Sequence, residues 1–231
     1  MRLFRNEIIG LTIKEKIVSN ILFISILLLV SCTKPSNKTD ISISNNHTKI
    51  NSLKDTTITF LWRENRYDEK LKGTYNFIVI NENYCKTISE PEKAALAYVA
   101  TFIGNECWWE NDEPNADRTN LKCKILSALD LGCQGSEQHL SFLRNWFKND
   151  KKCLKELENI PSTPYTSTIQ DTFDKINITV KGNTIKVWYK ASEINSRDDL
   201  SWEWTETDYF KVDKDNLQLV KVDKSKNRAI K

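Results

Sequence analysis

The amino-acid sequence predicts an α+β domain with an N-terminal β-hairpin, a cluster of three to four helices, and then a four-stranded antiparallel meander. Three observations predict this class. Apolar residues alternate with polar ones between residues 56 and 80, recur at helical spacing between residues 90 and 159, and alternate again from residue 175 onwards. Such runs of like elements are typical of domains whose helices cover one face of a sheet.

The hairpin is predicted from two alternating segments. In TTITFLW, residues 56–62, every second residue from Ile58 is apolar, and TYNFIVI, residues 74–80, alternates in the same way. The polar segment RENRYDEKLKG, residues 63–73, lies between them. We therefore expect it to form a loose hairpin loop.

Four amphipathic segments predict the helices. The first begins at the S-x-x-E capping pattern of residues 89–92 and ends before Gly104. The others are predicted at about 119–131, behind Ser136, and near 151–159. Each segment carries its apolar side chains on one stripe, so each helix needs a surface to cover.

Two turns predict the register of the meander. Gly182-Asn183 is a glycine-first two-residue turn of the II′ type, and residues 213–216 form a four-residue loop. The resulting pairs are apolar and share one face: Val180 with Ile185, Ile178 with Val187, Ile176 with Tyr189, Val212 with Leu217, and Phe210 with Leu219. In architecture this order resembles cystatin-like and nuclear-transport-factor-2-like domains, although no motif places the chain in either family.

The first residues of the chain predict an export signal. Four basic residues precede ILFISILLLV, residues 21–30, which is apolar except for Ser25. Ten residues are too few to cross a bilayer, which requires about 20, and they fit the apolar region of a secretory signal. An uncleaved anchor that extends back to Ile17 is the alternative, although it contains polar residues.

The apolar run ends in Leu29-Val30-Ser31-Cys32, which resembles the bacterial lipoprotein signal. The resemblance covers residues 1–32 only. It implies cleavage before Cys32, attachment of diacylglycerol to the Cys32 sulfur, and acylation of the new N-terminus. It also implies export and anchoring to the cell membrane or outer membrane, facing the periplasm or exterior. A chance cysteine behind an ordinary signal is the alternative.

Three regions follow from this interpretation. Residues 1–31 are the signal peptide, residues 32–55 are the lipidated cysteine and a polar spacer, and residues 56–231 form a single domain. Residues 1–31 hold four of the 34 basic residues and two of the 31 acidic ones, so the mature chain has a net charge of +1. A nucleic-acid partner is not expected, since nucleic-acid binding favours a strongly basic face.

The five cysteines behind the lipidated one predict two disulfides and one free thiol, because exported proteins fold in an oxidising compartment. If the helices run up, down and up, Cys107 and Cys123 lie at one end of the cluster and Cys85 and Cys133 at the other. A disulfide requires Cα atoms within about 7 Å, and a 15-residue helix is about 22 Å long. We therefore expect Cys107–Cys123 and Cys85–Cys133. Cys153 is then the free thiol, or it displaces one member of the first pair.

The sequence predicts no metal site and no cofactor. No C-x-x-C pair exists, and the two histidines, His47 and His139, have no ligand spacing. No catalytic residue is predicted either, because His139, the only histidine in the predicted domain, fits the flank of a helix.

One strand of the meander, WEWTETDYF, places two carboxylates in an apolar row. Side chains alternate along a strand, so Trp202, Trp204, Glu206 and Asp208 share the face of Phe210, which the predicted register makes the core face. Burial of an unpaired charge costs several kcal/mol. The two carboxylates therefore require an explanation.

Three arrangements of these carboxylates remain open. They pair with cations, in which case the register places Asp208 opposite Lys221; they lie where the sheet extends beyond the helices into water; or they line a pocket with the two tryptophans. Such a pocket suits a sugar or a cationic ligand, since tryptophan faces and carboxylates bind both.

These features lead to three functional hypotheses. The first is a lipid-anchored, non-catalytic interaction module of the cell envelope, whose partner is another envelope protein, an exported toxin or a cell-wall glycan. The second is a small-ligand binder that uses the concave sheet face around Trp202, Trp204, Glu206 and Asp208. The third is a carboxylate-based hydrolase at the same residues. An open cavity lined by both carboxylates favours the second and third hypotheses over the first.

Overall fold

A seven-stranded antiparallel sheet dominates the computed structural model, which describes residues 53–70, 72–106, 120–160 and 168–230. The strands are β1 (Thr56–Asp68), β2 (Gly73–Ile80), β3 (Ile169–Lys181), β4 (Thr184–Asn195), β5 (Leu200–Asp213), β6 (Asn216–Lys224) and β7 (Arg228–Ile230). Their order across the sheet is β2-β1-β3-β4-β5-β6. The short β7 pairs with the start of β5, beyond the end of β6.

Five helices lie between β2 and β3 in the described part of the chain. They are α1 (Glu82–Cys85), α2 (Glu90–Phe102), α3 (Leu121–Ala128), α4 (Glu137–Trp146) and α5 (Lys151–Glu158). The predicted capping box begins α2, where the Glu92 carboxylate accepts a hydrogen bond from the Ser89 backbone N–H at 3.2 Å. Ser136 caps α4 as predicted.

The core lies between α2 and the sheet. Four alanines of α2 are fully buried, and their small side chains allow the helix to approach the strands closely. Tyr98 of α2 packs against Phe147 and Phe210, with ring centroids 4.9 and 5.8 Å apart. These edge-to-face and tilted contacts join α2, the end of α4 and β5.

The predicted fold class is wrong in its architecture. The predicted hairpin and the predicted meander are not separate sheets. Because β1 pairs antiparallel with β3, the described strands form a single seven-stranded sheet. The predicted loop 63–73 is largely strand, since β1 continues to Asp68 and β2 begins at Gly73. Helices occur as α2–α5 near the four predicted positions, but they cover this large sheet rather than forming a cluster beside a four-stranded meander.

The predicted pairs at both turns are present, but one predicted contact is wrong. The pairs Val180–Ile185 and Phe210–Leu219 are among those confirmed. A bulge between the pairs of Tyr209 and Phe210 then shifts β6 by one residue. As a result Asp208 lies opposite Val222 rather than Lys221.

The disulfide pairing differs from the prediction, because Cys123 is bonded to Cys133. The predicted pairs Cys107–Cys123 and Cys85–Cys133 are therefore wrong. They assumed a long helix between positions 123 and 133, whereas α3 has eight residues and ends before the positive-φ residue Gly132, so the two Cα atoms lie 4.1 Å apart. Cys107 itself lies outside the described residues, and within those residues Cys85 and Cys153 form no disulfide.

No helix in the described ranges is long and apolar enough to span a bilayer. Cys32 and the predicted signal peptide lie outside those ranges.

Candidate functional site

A cavity of about 320 Å³ lies between the helices and the core face of β4, β5 and β6. We call it the β5 cavity. Its lining combines apolar and aromatic side chains with three carboxylates and two lysines: Tyr98, Val99, Phe102, Ile103, Lys152, Glu156, Tyr189, Trp204, Glu206, Asp208, Leu219, Val222 and Lys224.

The alternation of β5 places its polar residues in this cavity. Phe210 is fully buried under α2, and the residues two and four positions before it, Asp208 and Glu206, lie on the same face. The last turn of α2 ends at Phe102, which lines the cavity. The cavity thus lies where the helix stops and the core face of β5 continues.

Asp150 holds α5 against β6 and so brings a third carboxylate to the cavity. As the N-cap residue of α5, it accepts hydrogen bonds from the N–H groups of Lys152 and Cys153 with one oxygen. Its other oxygen accepts from the Leu219 N–H at 3.0 Å. Glu156, one turn into α5, therefore faces the cavity.

Asp208 is the most unusual group of the site. It is only 5% exposed, and its Oδ1 atom has no hydrogen-bond partner among the described residues. Burial, followed by the charges of Glu206 and Glu156, raises its pKa, Lys152 and Lys224 partly oppose this rise, and the net result is a pKa of about 7. Near neutral pH Asp208 is therefore a mixture of acid and carboxylate.

Lys224 places an ammonium group at the mouth of the cavity. Its Nζ atom lies 3.4 Å from Oε2 of Glu206 and 4.8 Å from the centroid of the Trp204 ring. The pairing is set by the sheet, since Lys224 lies directly opposite Glu206 in the β5–β6 register. Trp204 is 8% exposed, and its Nε1–H has no acceptor among the described residues.

Two tyrosines supply protonated phenols to the carboxylates. The Tyr98 hydroxyl donates to Oε2 of Glu156, and burial is the largest of the causes that raise its pKa. Burial likewise raises the pKa of Tyr189, and the charges of Asp208 and Glu206 add to the effect. Both phenols therefore stay protonated and able to donate.

The structure brings together three of the four predicted ligand-binding residues. Trp204, Glu206 and Asp208 line the β5 cavity, whereas Trp202 does not. Trp202 lies nearer the start of β5, opposite Glu193 on β4 and Ala229 on β7. Of the three open arrangements, cation pairing holds for Glu206, and both carboxylates line a cavity.

Sequence reasoning missed the helical half of the site. Tyr98 belongs to the predicted apolar stripe of α2, and Glu156 to the polar side of a short helix, so neither pattern indicates a binding role. Their convergence on β5 depends on how the helices pack, for which no local sequence signal exists.

Two larger cavities, of about 460 and 540 Å³, lie beside α3. The first is lined by the Cys123–Cys133 disulfide and residues of α4 and α5, and the second by residues of β1 and β2. Both of the buried side-chain atoms that lack a hydrogen-bond partner in the described ranges, Trp204 Nε1 and Asp208 Oδ1, belong to residues of the β5 cavity instead. This difference makes the β5 cavity the candidate site.

The side chains of His139 and Cys153 are both fully buried. Gly135 N–H donates to Nδ1 of His139 at 3.2 Å, and Nε2 lies 3.0 Å from Oγ1 of Thr101. Burial lowers the pKa of His139 to about 4 and raises that of the Cys153 thiol to about 12, so both groups are uncharged at neutral pH. Across the described segments, no three side chains of His, Cys, Asp or Glu form a group that can hold a metal ion.

Comparison with protein-family models, with curated proteins and with solved structures found no match for this chain.

Proposed function

We propose that this protein is a lipid-anchored lipoprotein of the bacterial cell envelope that binds a small ligand in the β5 cavity. The resemblance of residues 29–32 to the lipoprotein signal supports the anchor. The Cys123–Cys133 disulfide supports export, because disulfides persist in oxidising compartments. The volume of the cavity, about 320 Å³, is near the lower end of the range typical of small-ligand pockets.

One observation carries the binding proposal. Oδ1 of Asp208 and Nε1 of Trp204 are buried, line the same cavity, and have no hydrogen-bond partner among the described residues. Each buried polar group without a partner costs about 1–3 kcal/mol. A ligand that offers one donor and one acceptor removes both penalties, so the site favours a polar small molecule over an empty cavity.

A blocking substitution tests this proposal. Leu219 lines the cavity from β6, and the next residue, Val220, is 55% exposed. Leu219→Trp fills the cavity, whereas Val220→Trp adds the same side chain to an exposed position of the strand and serves as the matched control. The mature protein, extracted in detergent, is screened by thermal shift against a collection of sugars, amines and amino acids. We expect ligands that stabilise the wild type and Val220→Trp but not Leu219→Trp. Absence of any such ligand contradicts the proposal.

Metabolic labelling tests the anchor. We expect an alkyne palmitate to label the wild type, and Cys32→Ser to abolish the labelling and to release the protein from the membrane fraction. An unlabelled wild type contradicts the lipid anchor without bearing on the cavity.

A further inference from the structure

Building on the proposed function, we infer that the ligand of the β5 cavity is a small organic ammonium compound that also carries a hydrogen-bond acceptor, such as an amino sugar, and that the Lys224 ammonium competes with it for Glu206.

The charges around the cavity favour a cation. The titratable groups that face it come from every surrounding element: Tyr98 from α2, Lys152 and Glu156 from α5, Tyr189 from β4, Glu206 and Asp208 from β5, and Lys224 from β6. Three acidic groups therefore lie beside two lysines, and Asp208 adds its negative charge when it loses its proton. The C-terminal end of α2 also lies here, and the negative end of a helix dipole favours positive charge.

Neither lysine donates a hydrogen bond to Oδ1 of Asp208, the most buried of the three acidic groups. Lys152 is 73% exposed and lies 4.0 Å from Glu156, at the outer rim. Lys224 reaches Glu206 but leaves Oδ1 of Asp208 without a donor among the described residues. A ligand ammonium group that enters the cavity can donate to Asp208 and Glu206 together.

Lys224 shows that an ammonium group fits the site. Its Nζ atom lies beside a carboxylate and over a tryptophan ring, the arrangement that also recognises ligand cations. The side chain is 48% exposed and belongs to the last residue of β6, so it can rotate into solvent without disturbing the core. A free ammonium compound then takes its place beside Glu206.

Trp204 requires the ligand to carry a hydrogen-bond acceptor as well as an ammonium group. Its buried Nε1–H donates to no described residue, so the complementary ligand carries an oxygen acceptor near its ammonium group. Hydroxylated primary amines meet both requirements, and a single sugar ring is small enough for the cavity volume of about 320 Å³.

Three matched sugars test the charge requirement. D-glucosamine, D-glucose and N-acetyl-D-glucosamine share one ring, but only the first carries an ammonium group. Isothermal titration calorimetry of the mature protein near pH 7 is expected to give an affinity for glucosamine at least about tenfold higher than for the other two, because charge-assisted hydrogen bonds are about twice as strong as neutral ones.

Substitutions on β6 and β5 test the competition. Lys224→Met is expected to raise the affinity for glucosamine about threefold or more, since it frees Glu206. Lys221→Met removes the same charge from a lysine that contacts Tyr209 rather than the cavity, and it is expected to leave the affinity unchanged. Glu206→Gln is expected to lower the affinity about tenfold.

The outcomes separate this inference from the proposed function. If ligands blocked by Leu219→Trp are found but all of them are neutral or anionic, or if glucose binds as tightly as glucosamine, the ammonium inference is overturned and the cavity remains a binding site. An affinity of Lys224→Met equal to or below that of the wild type overturns the competition. If Leu219→Trp blocks no ligand at all, both proposals fail.

Discussion

Replacement of Asp208 by asparagine is expected to stabilise the protein at alkaline pH. The substitution keeps the size of the side chain and removes its charge. Asp208 is 5% exposed, and burial, with the nearby carboxylates, raises its pKa from 3.8 to about 7. In the folded state Asp208 therefore holds its proton between about pH 4 and pH 7, whereas in the unfolded state it has lost it.

The sign and size of the effect follow from proton linkage. Because the folded state binds more protons than the unfolded state in this window, the free energy of unfolding falls as the pH rises from about 4 to about 7. A tenfold change in an acidity constant corresponds to about 1.4 kcal/mol, so the full loss is about 4 kcal/mol. Asp208→Asn removes this component and is therefore more stable than the wild type at pH 8 by up to about 4 kcal/mol.

Urea unfolding followed by tryptophan fluorescence measures the difference. The advantage of Asp208→Asn is expected at pH 8 and shrinks towards zero near pH 4, where the wild-type carboxyl group is also neutral. Asp213→Asn, at an exposed position of the same strand, is the control and is expected to show no such pH-dependent gain. An equal effect of Asp208→Asn at both pH values refutes the reasoning, because it shows that Asp208 does not change its protonation on unfolding.

Three further predictions concern other parts of the fold. Burial lowers the pKa of His139 from 6.5 to about 4, so the free energy of unfolding falls by about 3 kcal/mol as the pH drops from 6.5 to 4. In urea titrations, His139→Gln is expected to flatten this dependence of the unfolding free energy on pH, and an unchanged dependence contradicts the assignment. The Cys123–Cys133 disulfide closes a short loop of sequence separation 10, and its reduction is expected to lower the free energy of unfolding by about 3 kcal/mol. Cys123→Ser is expected to abolish this sensitivity of the stability to reductant. Asp150→Ala removes both the cap of α5 and the bond from the Leu219 N–H and costs about 2 kcal/mol. Asp150→Asn keeps one acceptor oxygen for the cap but loses the bond from Leu219, so it costs less; equal losses contradict the capping role.

Features set by neighbouring residues could be predicted from the sequence, and features set by distant packing could not. The Gly182-Asn183 turn determines the register of β3 with β4 locally, since a two-residue loop leaves one pairing that keeps the apolar residues on one face. The pairing of β1 with β3 joins segments on either side of the described helices α1–α5, and no turn signals it. The fold class was wrong for that reason.

The candidate site shows the same division. Alternation along β5 predicted that Trp204, Glu206 and Asp208 share a face, and they do line one cavity. One extra residue at the β6 bulge was enough to replace the predicted contact of Asp208 with Lys221. A bulge changes the partner of every residue beyond it, and alternation within a single strand carries no information about where a bulge occurs.

The position of Asp208 links the stability of the fold to its proposed activity. Two residues further along β5, Phe210 is fully buried in the core, and an apolar side chain at position 208 would continue that core without the cost of about 4 kcal/mol derived above. A buried carboxylate with this cost and an unpartnered oxygen among the described residues is better explained by a ligand than by the fold. In the proposed complex, an ammonium group beside Asp208 favours its ionised form and lowers its pKa, so the ligand both offsets the cost and displaces the proton. If the proposed ligand binds there, its affinity and the pH dependence of stability depend on one carboxyl group, and Asp208→Asn must change both together.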